Sequence, residues 1–220
     1  MGLKLGYFSK RALLCAECAV LFFILPVTLY FIRHWFAWRI TPIVLLVSFL
    51  CFLSLITDKD FDRKRLWHIR DFPVHIKAIM ITFFIAATGI AFFTYLFQRM
   101  YFLYFLSAEP RLWLVFVLIY PLLVVYPQEL VFRAFFFHRY RSIFEHRLTM
   151  IALSGISFGL AHLFFANWYA PVLSTLGGIL FAYRYTKAQS LVVAAFEHGL
   201  WGNFLFTIGM GWYFYSGSIR

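Results

Sequence analysis

Residues 112–137 read LWLVFVLIYPLLVVYPQELVFRAFFF, and this stretch decides the fold class. It is long enough for one helix to cross the roughly 30 Å hydrocarbon core of a bilayer, which takes about 20 apolar residues. Its charged residues are Glu129 and Arg133, four positions apart, so that both lie on one helix face with the acid nearer the N-terminus. The stretch predicts a transmembrane helix that carries an ion pair inside the membrane.

The composition extends this prediction to the rest of the chain. Hydrophobic residues make up 63% of the 220 residues and charged residues only 13%, too few to cover a soluble protein of this length. We predict an all-α polytopic membrane helical bundle of about seven or eight transmembrane helices, with residues 1–220 as one integral membrane domain. The apolar stretches that define it are 12–32, 40–57, 78–97, 112–137, 148–165, 171–183 and 191–215.

Lys and Arg residues alternate between rich and poor loops along the chain. The N-terminal segment, residues 58–77 and the loop with Arg184 and Lys187 are rich in cations, whereas the loops around Arg33 and Arg99 are poor. Under the positive-inside rule the N-terminus and the other rich segments face the cytoplasm. We therefore predict a multi-pass protein, in the inner membrane of a bacterium, with a cytoplasmic N-terminus. The same positions account for the net charge of +11 without nucleic acid as a partner.

Polar side chains inside the predicted spans are the candidates for chemistry, because a charged group in a span costs about 2.5–3.5 kcal/mol on insertion scales. Besides Glu129 and Arg133, residues 157–162 (SFGLAH) place one imidazole in the fifth span. Residues 196–203 (FEHGLWGN) add a second imidazole and an amide to the last stretch. A carboxylate, two imidazoles and an amide suit general-base activation of water and the stabilisation of an oxyanion.

Counting along the helices places these groups at comparable depths. Glu129 and His198 each fall about 11–12 Å below the surface at which the cation-rich loops lie, and His162 falls about 20 Å below it. We predict that these three residues and Asn203 surround one water-accessible cavity in the cytoplasmic half of the bilayer.

The motifs, in chain order, are Glu129 with Arg133, Phe158 with His162, and His198 with Asn203. Their order and spacing resemble the CAAX prenyl endopeptidase type II family, also called CPBP or Abi, a family of polytopic intramembrane proteases. The resemblance covers residues 112–215 and implies that this segment is the catalytic core of an intramembrane endopeptidase, which hydrolyses a peptide bond near the cytoplasmic membrane surface. It further implies that the partners are membrane lipid and a peptide or protein substrate, with or without a lipid modification.

Two positions depart from the family pattern. The family's first motif usually reads Glu-Glu-x-x-x-Arg, whereas this chain has Gln128 before Glu129. An amide cannot accept a proton as a carboxylate does, so either Glu129 takes over as the base or hydrolysis is impaired. The last motif is often His-x-x-x-Asn, and here Gly202 stands at the fourth position. The candidate site residues are Gln128, Glu129, Arg133, His162, His198 and Asn203.

For a protease we predict that Glu129 activates the attacking water with the help of His162, while His198 and Asn203 stabilise the oxyanion. Glu197 is the next candidate base if Glu129 is dispensable. We predict no cofactor and no tightly bound metal. The family is described both as metalloproteases and as glutamate-dependent enzymes. If a divalent metal such as zinc binds, its ligands are Glu129, His162 and His198.

Three alternatives stay open. Residues 155–159 (GISFG) match the Gly-x-Ser-x-Gly pattern of serine hydrolases, and rhomboid-like proteases also use a buried serine with a histidine. Small residues at this spacing are also typical of closely packed membrane helices. A membrane scaffold or immunity-type protein is a second alternative, and the glutamine at position 128 favours it. In that case Glu129 and Arg133 form a structural ion pair. A transporter fits the number of spans, but no inverted repeat is visible.

Overall fold

The apolar stretches form helices because a backbone in lipid must satisfy its own hydrogen bonds, and a helix does so within one segment. The computed structural model describes residues 2–36 and 39–215, with side chains from residue 10 onward. Within these residues there is no β-strand, and the predicted all-α class is confirmed.

Seven long helices follow one another along the described chain. They are α1 (Lys10–Phe31, in a helical run that begins at Gly2), α2 (Ile40–Thr57), α3 (Phe72–Phe97), α4 (Pro110–Arg139), α5 (Arg147–Phe165), α6 (Tyr169–Ala188) and α7 (Leu191–Thr207). The first five are long and apolar enough to cross a membrane. The total of seven or eight spans stays a prediction. Short helical turns occupy Arg33–Trp35, Lys64–Trp67, Tyr104–Ala108 and Met210–Phe214.

The observed bounds differ from the predicted ones mainly at polar ends. α3 begins at Phe72 rather than at residue 78, inside the segment that the sequence marks as hydrophilic. The last apolar stretch is one helix followed by a short turn, because Gly209 adopts a left-handed φ of +98°, which glycine tolerates. A Cβ at Gly209 would lie 2.7 Å from the carbonyl carbon of Tyr101, so only glycine fits this turn.

One end of the bundle gathers the cation-rich segments. We call it the basic face, and it consists of the start of α1 and residues 58–71, 139–147 and 184–190. Arg139 forms a two-point ion pair with Glu17 of α1, at 2.9 and 2.7 Å. His138 Nε2 lies 2.8 Å from Asp58 Oδ2, and this hydrogen bond lowers the pKa of the Asp58 carboxyl. These contacts tie the first half of the chain to the end of α4.

Residues 58–71 have the composition of a solvated loop, but the structure folds them onto the basic face. The Leu66 side chain is only 1% exposed. The Tyr126 hydroxyl of α4 donates a 2.9 Å hydrogen bond to the Leu66 carbonyl, and the Ser190 hydroxyl donates to the His68 carbonyl. The segment therefore covers the bundle at this end.

The other end of the bundle, which we call the opposite face, consists of residues 98–109, 166–168 and 208–215. Asn167 Nδ2 donates a 2.8 Å hydrogen bond to the Tyr213 carbonyl, which joins two of these segments. The indole of Trp113, near the start of α4, donates to the Thr207 hydroxyl at the end of α7 over 2.9 Å. The alternation of rich and poor loops is thus matched by two separate faces.

α5 and α6 approach closely through glycines. A Cβ at Gly155 would lie 2.7 Å from the backbone nitrogen of Ile179, and one at Gly159 would lie 2.9 Å from the Pro171 carbonyl oxygen. Small residues allow this approach in membrane helices, and the close contact replaces the hydrophobic driving force that lipid does not supply. The packing interpretation of residues 155–159 is confirmed.

Candidate active site

Glu129 of α4 is fully buried, and each of its carboxylate oxygens faces a partner. Oε2 lies 3.2 Å from Arg133 Nε, the pair that the spacing of four residues predicts. Oε1 accepts a 2.9 Å hydrogen bond from Nδ1 of His198 on α7. Because a carboxylate accepts and does not donate, the imidazole proton belongs on Nδ1, and Nε2 of the neutral ring carries a lone pair.

Arg133 is also fully buried, and its charge is held by protein groups. Nη1 donates a 3.0 Å hydrogen bond to the Ser154 hydroxyl, which in turn donates to the Phe132 carbonyl over 2.7 Å. The guanidinium carbon lies 5.0 Å from the centroid of the Phe158 ring, within the range of a cation–π contact. These contacts fix the cation that balances Glu129.

Two phenylalanine rings set the plane of the His198 imidazole. Phe181 of α6 stacks on it with 4.6 Å between ring centroids and 13° between planes. Phe158 of α5 meets it edge-on at 5.3 Å. Phe158 belongs to the motif that the sequence shows, but Phe181 was missed, because a stacking partner on another helix leaves no signal in one sequence.

His162 is the first residue of the 3-10 turn that ends α5. Its Nδ1 donates a 2.8 Å hydrogen bond to the Phe158 carbonyl, so that Nε2 again carries the lone pair. The Phe158 ring lies between the two imidazoles, 4.6 Å from the centroid of His162. The site therefore contains two imidazoles whose Nε2 atoms are not engaged by these contacts.

A cavity of about 250 Å³ adjoins both histidines. His162 and His198 line it together with Tyr120, Trp201 and a largely apolar wall. Glu129 does not line the cavity, because His198 stands between its carboxylate and the free space. The structure thus brings His162, His198 and Glu129 into one site, with the acid behind the second histidine.

The cavity lies on the side of the histidines that faces away from the basic face. Its lining residues fall near the middle of their helices or in the half nearer the opposite face, as Tyr120 does on α4, Leu205 on α7 and His162 on α5. The prediction that the cavity lies in the half with the cation-rich loops is wrong. Counting along helices located Glu129 and His198 but could not indicate on which side of them space remained.

Asn203 and Gln128 do not line the cavity. Asn203 Nδ2 donates a 3.1 Å hydrogen bond to the Val117 carbonyl of α4. In an α-helix the N–H of residue 121 would donate to that carbonyl, but Pro121 has none, so Asn203 supplies the missing donor. The predicted place of Asn203 at the cavity is therefore wrong. Gln128 is half-buried, beside Glu129 in sequence and outside the cavity wall.

A second buried ion pair joins α6 to α7. Arg184 Nε and Nη2 donate to the two carboxylate oxygens of Glu197 over 2.8 and 3.1 Å. The assignment of Arg184 to a loop is wrong, since it is a buried residue of α6. Arg184 and Glu197 lie on the two helices that the turn at Gln189 joins, so the pair ties the two helices of one hairpin together. Glu197 is fully engaged and does not line the cavity.

Ser157 does not form the pair with histidine that a rhomboid-like serine protease would need. It is fully buried, its hydroxyl donates a 3.0 Å hydrogen bond to the Ser154 carbonyl, and it does not line the cavity. His162 directs Nδ1 to the Phe158 carbonyl instead.

The three conditional metal ligands are not arranged as a metal site. In the part of the chain that the structure describes, no three His, Cys, Asp or Glu side chains come close enough together to hold a metal ion. The Glu129 oxygens are directed to Arg133 and His198, so the set of Glu129, His162 and His198 does not fit a metal in this arrangement.

Residues 110–205 match a family model described as Type II CAAX prenyl endopeptidase Rce1-like. The match runs from the start of α4 into α7 and contains Glu129, Arg133, His162 and His198. The predicted family is confirmed over this segment. A search of curated proteins and a search of solved structures found no match. The apolar helices and the family together make the chain an integral membrane protein.

Proposed function

We propose that the chain is an intramembrane endopeptidase of the CAAX protease type, in which a glutamate–histidine pair activates water to hydrolyse a peptide bond. The observation that carries this proposal is the 2.9 Å hydrogen bond from His198 Nδ1 to the buried Glu129 carboxylate. This hydrogen bond leaves Nε2 of His198 free to act as a base, and His198 lines the cavity. The family match supports peptide-bond hydrolysis as the reaction.

His198, rather than Glu129, takes the proton in this proposal. As the water oxygen bonds to the carbonyl carbon, Nε2 accepts a water proton, and the Glu129 carboxylate stabilises the imidazolium that forms. The same nitrogen then gives this proton to the leaving nitrogen while the carbon–nitrogen bond breaks. Glu129 is a positioning residue, and its Oε2 lies 3.2 Å from Arg133 Nε.

His162 orients the attacking water. Its Nδ1 is held by the Phe158 carbonyl, so Nε2 can only accept a hydrogen bond while the ring is neutral. A water that donates one hydrogen to each imidazole keeps an oxygen lone pair free for attack on the carbonyl. This role makes His162 and His198 act as a unit.

Trp201 is the donor for the oxyanion in place of Asn203. It lines the cavity, and its indole Nε1 is buried without a hydrogen-bond partner among the described residues. An unpaired buried donor costs about 1–3 kcal/mol, which a developing oxyanion would recover in the transition state. The sequence gives no sign of this role, because a tryptophan in an apolar span looks like a packing residue.

The substrate is a peptide or protein segment within the membrane, with or without a lipid modification. Leucine and phenylalanine are the most frequent residues of the cavity wall, which suits an apolar sequence around the cleaved bond. Gln128 lies outside this wall, so the proposed chemistry does not depend on a carboxylate at position 128.

A membrane scaffold or immunity-type protein is the second candidate. The observation that favours it is the burial of Glu129 between Arg133 and His198, together with Gln128 in place of the family's first glutamate. In that case the same network would stabilise the bundle and perform no hydrolysis.

Cleavage in membranes tests the proposal against the scaffold. Membranes that contain wild-type protein or His198→Ala are incubated at equal protein level, and new peptide termini are identified by mass spectrometry. We expect termini that appear with the wild type and disappear with His198→Ala. Ser157→Ala is the matched control, because Ser157 lies in the same core but outside the cavity, and it should keep the termini. Identical termini in wild type and His198→Ala would favour the scaffold.

A further inference from the structure

We infer that the opposite face contains a binding site for a quaternary ammonium group, such as the trimethylammonium group of choline. The site is a second cavity of about 390 Å³, formed by the short turns Tyr104–Ala108 and Met210–Phe214 and by the adjoining ends of α4 and α7. Small-ligand sites typically have about 300–1,000 Å³. The inference does not depend on the proposed function, because neither histidine of the candidate active site lines this cavity.

Aromatic rings form most of the wall of the second cavity. Seven of its eleven lining residues are Phe, Tyr or Trp. Phe116 contacts Phe105 and Phe206, with 5.9 and 4.3 Å between ring centroids. Trp212 and Tyr215 form a second pair, at 6.3 Å. The face of an aromatic ring carries negative partial charge, so several rings around one space attract a cation.

The charged residues around the second cavity also favour a cation. Among the described residues that line it, Glu109 is the only Asp, Glu, Lys or Arg. Arg99, in the same loop, lies over the Tyr95 ring instead, with 5.3 Å between its guanidinium carbon and the ring centroid. The wall therefore combines aromatic faces with one acidic residue and without a basic one, which selects a cationic ligand over an anionic one.

Two glycines bring the turn Met210–Phe214 close to its neighbours. Gly209 has a left-handed φ, and a Cβ there would lie 2.7 Å from the carbonyl carbon of Tyr101. A Cβ at Gly211 would lie 2.8 Å from the Cα of Phe206. The belt of Trp and Tyr at a membrane surface does not need such close packing, because its rings only have to reach the lipid head groups. The packing therefore indicates an enclosure rather than a belt alone.

A quaternary ammonium group suits this wall because it is a cation without N–H donors. A buried ammonium or guanidinium group needs hydrogen-bond acceptors, and the wall consists largely of ring carbons. The Tyr104 and Trp212 side chains are 63% and 51% exposed, so a ligand can reach these rings from outside the bundle. The ammonium group can belong to a phospholipid head group or to a soluble compound.

Saturation-transfer NMR on the N-methyl resonance of choline tests the site in the purified full-length protein in maltoside micelles. The neutral analogue of choline, with carbon in place of nitrogen, separates the attraction of a cation from apolar binding. Trp212→Leu and Tyr104→Leu each remove a largely exposed ring of the wall, so neither change removes a core side chain. Trp168→Leu is the matched control, because Trp168 is 81% exposed on the same face and lines neither cavity.

We expect choline to bind the wild type and Trp168→Leu alike. Binding to Trp212→Leu and to Tyr104→Leu should be weaker by about 2- to 30-fold, the range of one cation–π contact. The neutral analogue should bind the wild type at least about tenfold more weakly than choline, because it loses several such contacts. The inference would be overturned by absent choline binding, by equal binding of the two compounds, or by equal choline binding to the wild type and both ring variants.

Competition with short-chain phospholipids identifies the source of the ammonium group. A phosphatidylcholine that displaces choline at a concentration below the dissociation constant of choline assigns the site to a lipid head group. Displacement only at a higher concentration assigns it to a soluble ammonium compound. Phosphatidylglycerol of the same chain length should not displace choline. Equal displacement by both lipids would show that the cavity binds acyl chains, and this result would also overturn the inference.

Discussion

The His198 imidazole connects the buried Glu129 carboxylate to the cavity. Glu129→Gln keeps an oxygen that can accept from His198 Nδ1 but removes the charge that stabilises the imidazolium. We expect this change to lower the cleavage rate by up to about 10⁴-fold, the loss that follows when the carboxylate that orients a catalytic histidine becomes an amide. The rate is measured on the peptide that mass spectrometry identifies.

The level of folded Glu129→Gln protein in the membrane serves as the control for this loss. Ser157→Ala should cleave at the wild-type rate, since its hydroxyl is bonded to the Ser154 carbonyl and not to a histidine. Cleavage by Glu129→Gln at a rate close to wild type would contradict the proposed pair.

Arg133 illustrates the cost of separating two buried charges. Arg133→Met leaves the Glu129 carboxylate buried without its cation, which typically costs about 3–5 kcal/mol. We expect a large loss of thermal stability in detergent. Size-exclusion chromatography of samples heated to a series of temperatures measures this loss. The double variant Glu129→Gln with Arg133→Met removes both charges and should recover most of the loss. Equal instability of the single and double variants would contradict the ion-pair explanation.

At the scale of elements, Asn203 joins α7 to the proline-containing turn of α4. Asn203→Ala removes the donor to the Val117 carbonyl and should lower the free energy of unfolding by about 1–3 kcal/mol, the cost of an unsatisfied buried group. In a Pro121→Ala background the backbone N–H of residue 121 can donate to that carbonyl, so the same change should cost less. A double-mutant cycle of thermal stability measures the difference. Strict additivity would contradict this role.

The crossing of α5 and α6 depends on the absence of side chains. Gly155→Ala would place a methyl group 2.7 Å from the Ile179 backbone nitrogen, and backbone cannot move aside as a flexible side chain can. We expect overpacking to destabilise the protein by about 1–3 kcal/mol. Gly89→Ala in α3 is the matched control, because a Cβ there meets nothing within 4 Å. Equal stability of the two variants would show that the crossing is not tight.

The parts of the site that sequence could predict are those set by local geometry. The Glu129–Arg133 pair follows from a spacing of four residues on one helix, and the helices themselves follow from apolar stretches. The bond from His198 to Glu129 joins residues far apart in the chain, and it depends on how α4 and α7 pack. Because of the same packing, Trp201 lines the cavity and Asn203 does not. The spacing of residues in one sequence does not indicate either position.

At the scale of the whole molecule, the two ends of the bundle are built differently. The basic face is closed by a core that includes side chains from α1, α2, α4 and α7 and from residues 58–71. The cavity of the candidate active site lies between the two histidines and the opposite face, and only Phe214 of that face lines it. Hydropathy marks residues 58–71 as polar, and the two buried apolar residues, Phe61 and Leu66, are too few to change that average.

Leu66 tests whether this covering segment is a structural part of the bundle. Its side chain is 1% exposed and its carbonyl accepts the Tyr126 hydroxyl, so Leu66→Ala leaves a gap in the core beside α4. Truncation of a buried leucine typically costs about 2–5 kcal/mol, since lost burial and an unfilled cavity add. Ile69→Ala removes a similar side chain from the same segment, but one that is 63% exposed, and it should change stability by less than about 0.5 kcal/mol. Thermal unfolding in one detergent measures both variants, and a loss as large for Ile69→Ala as for Leu66→Ala would contradict the assignment of Leu66 to the core.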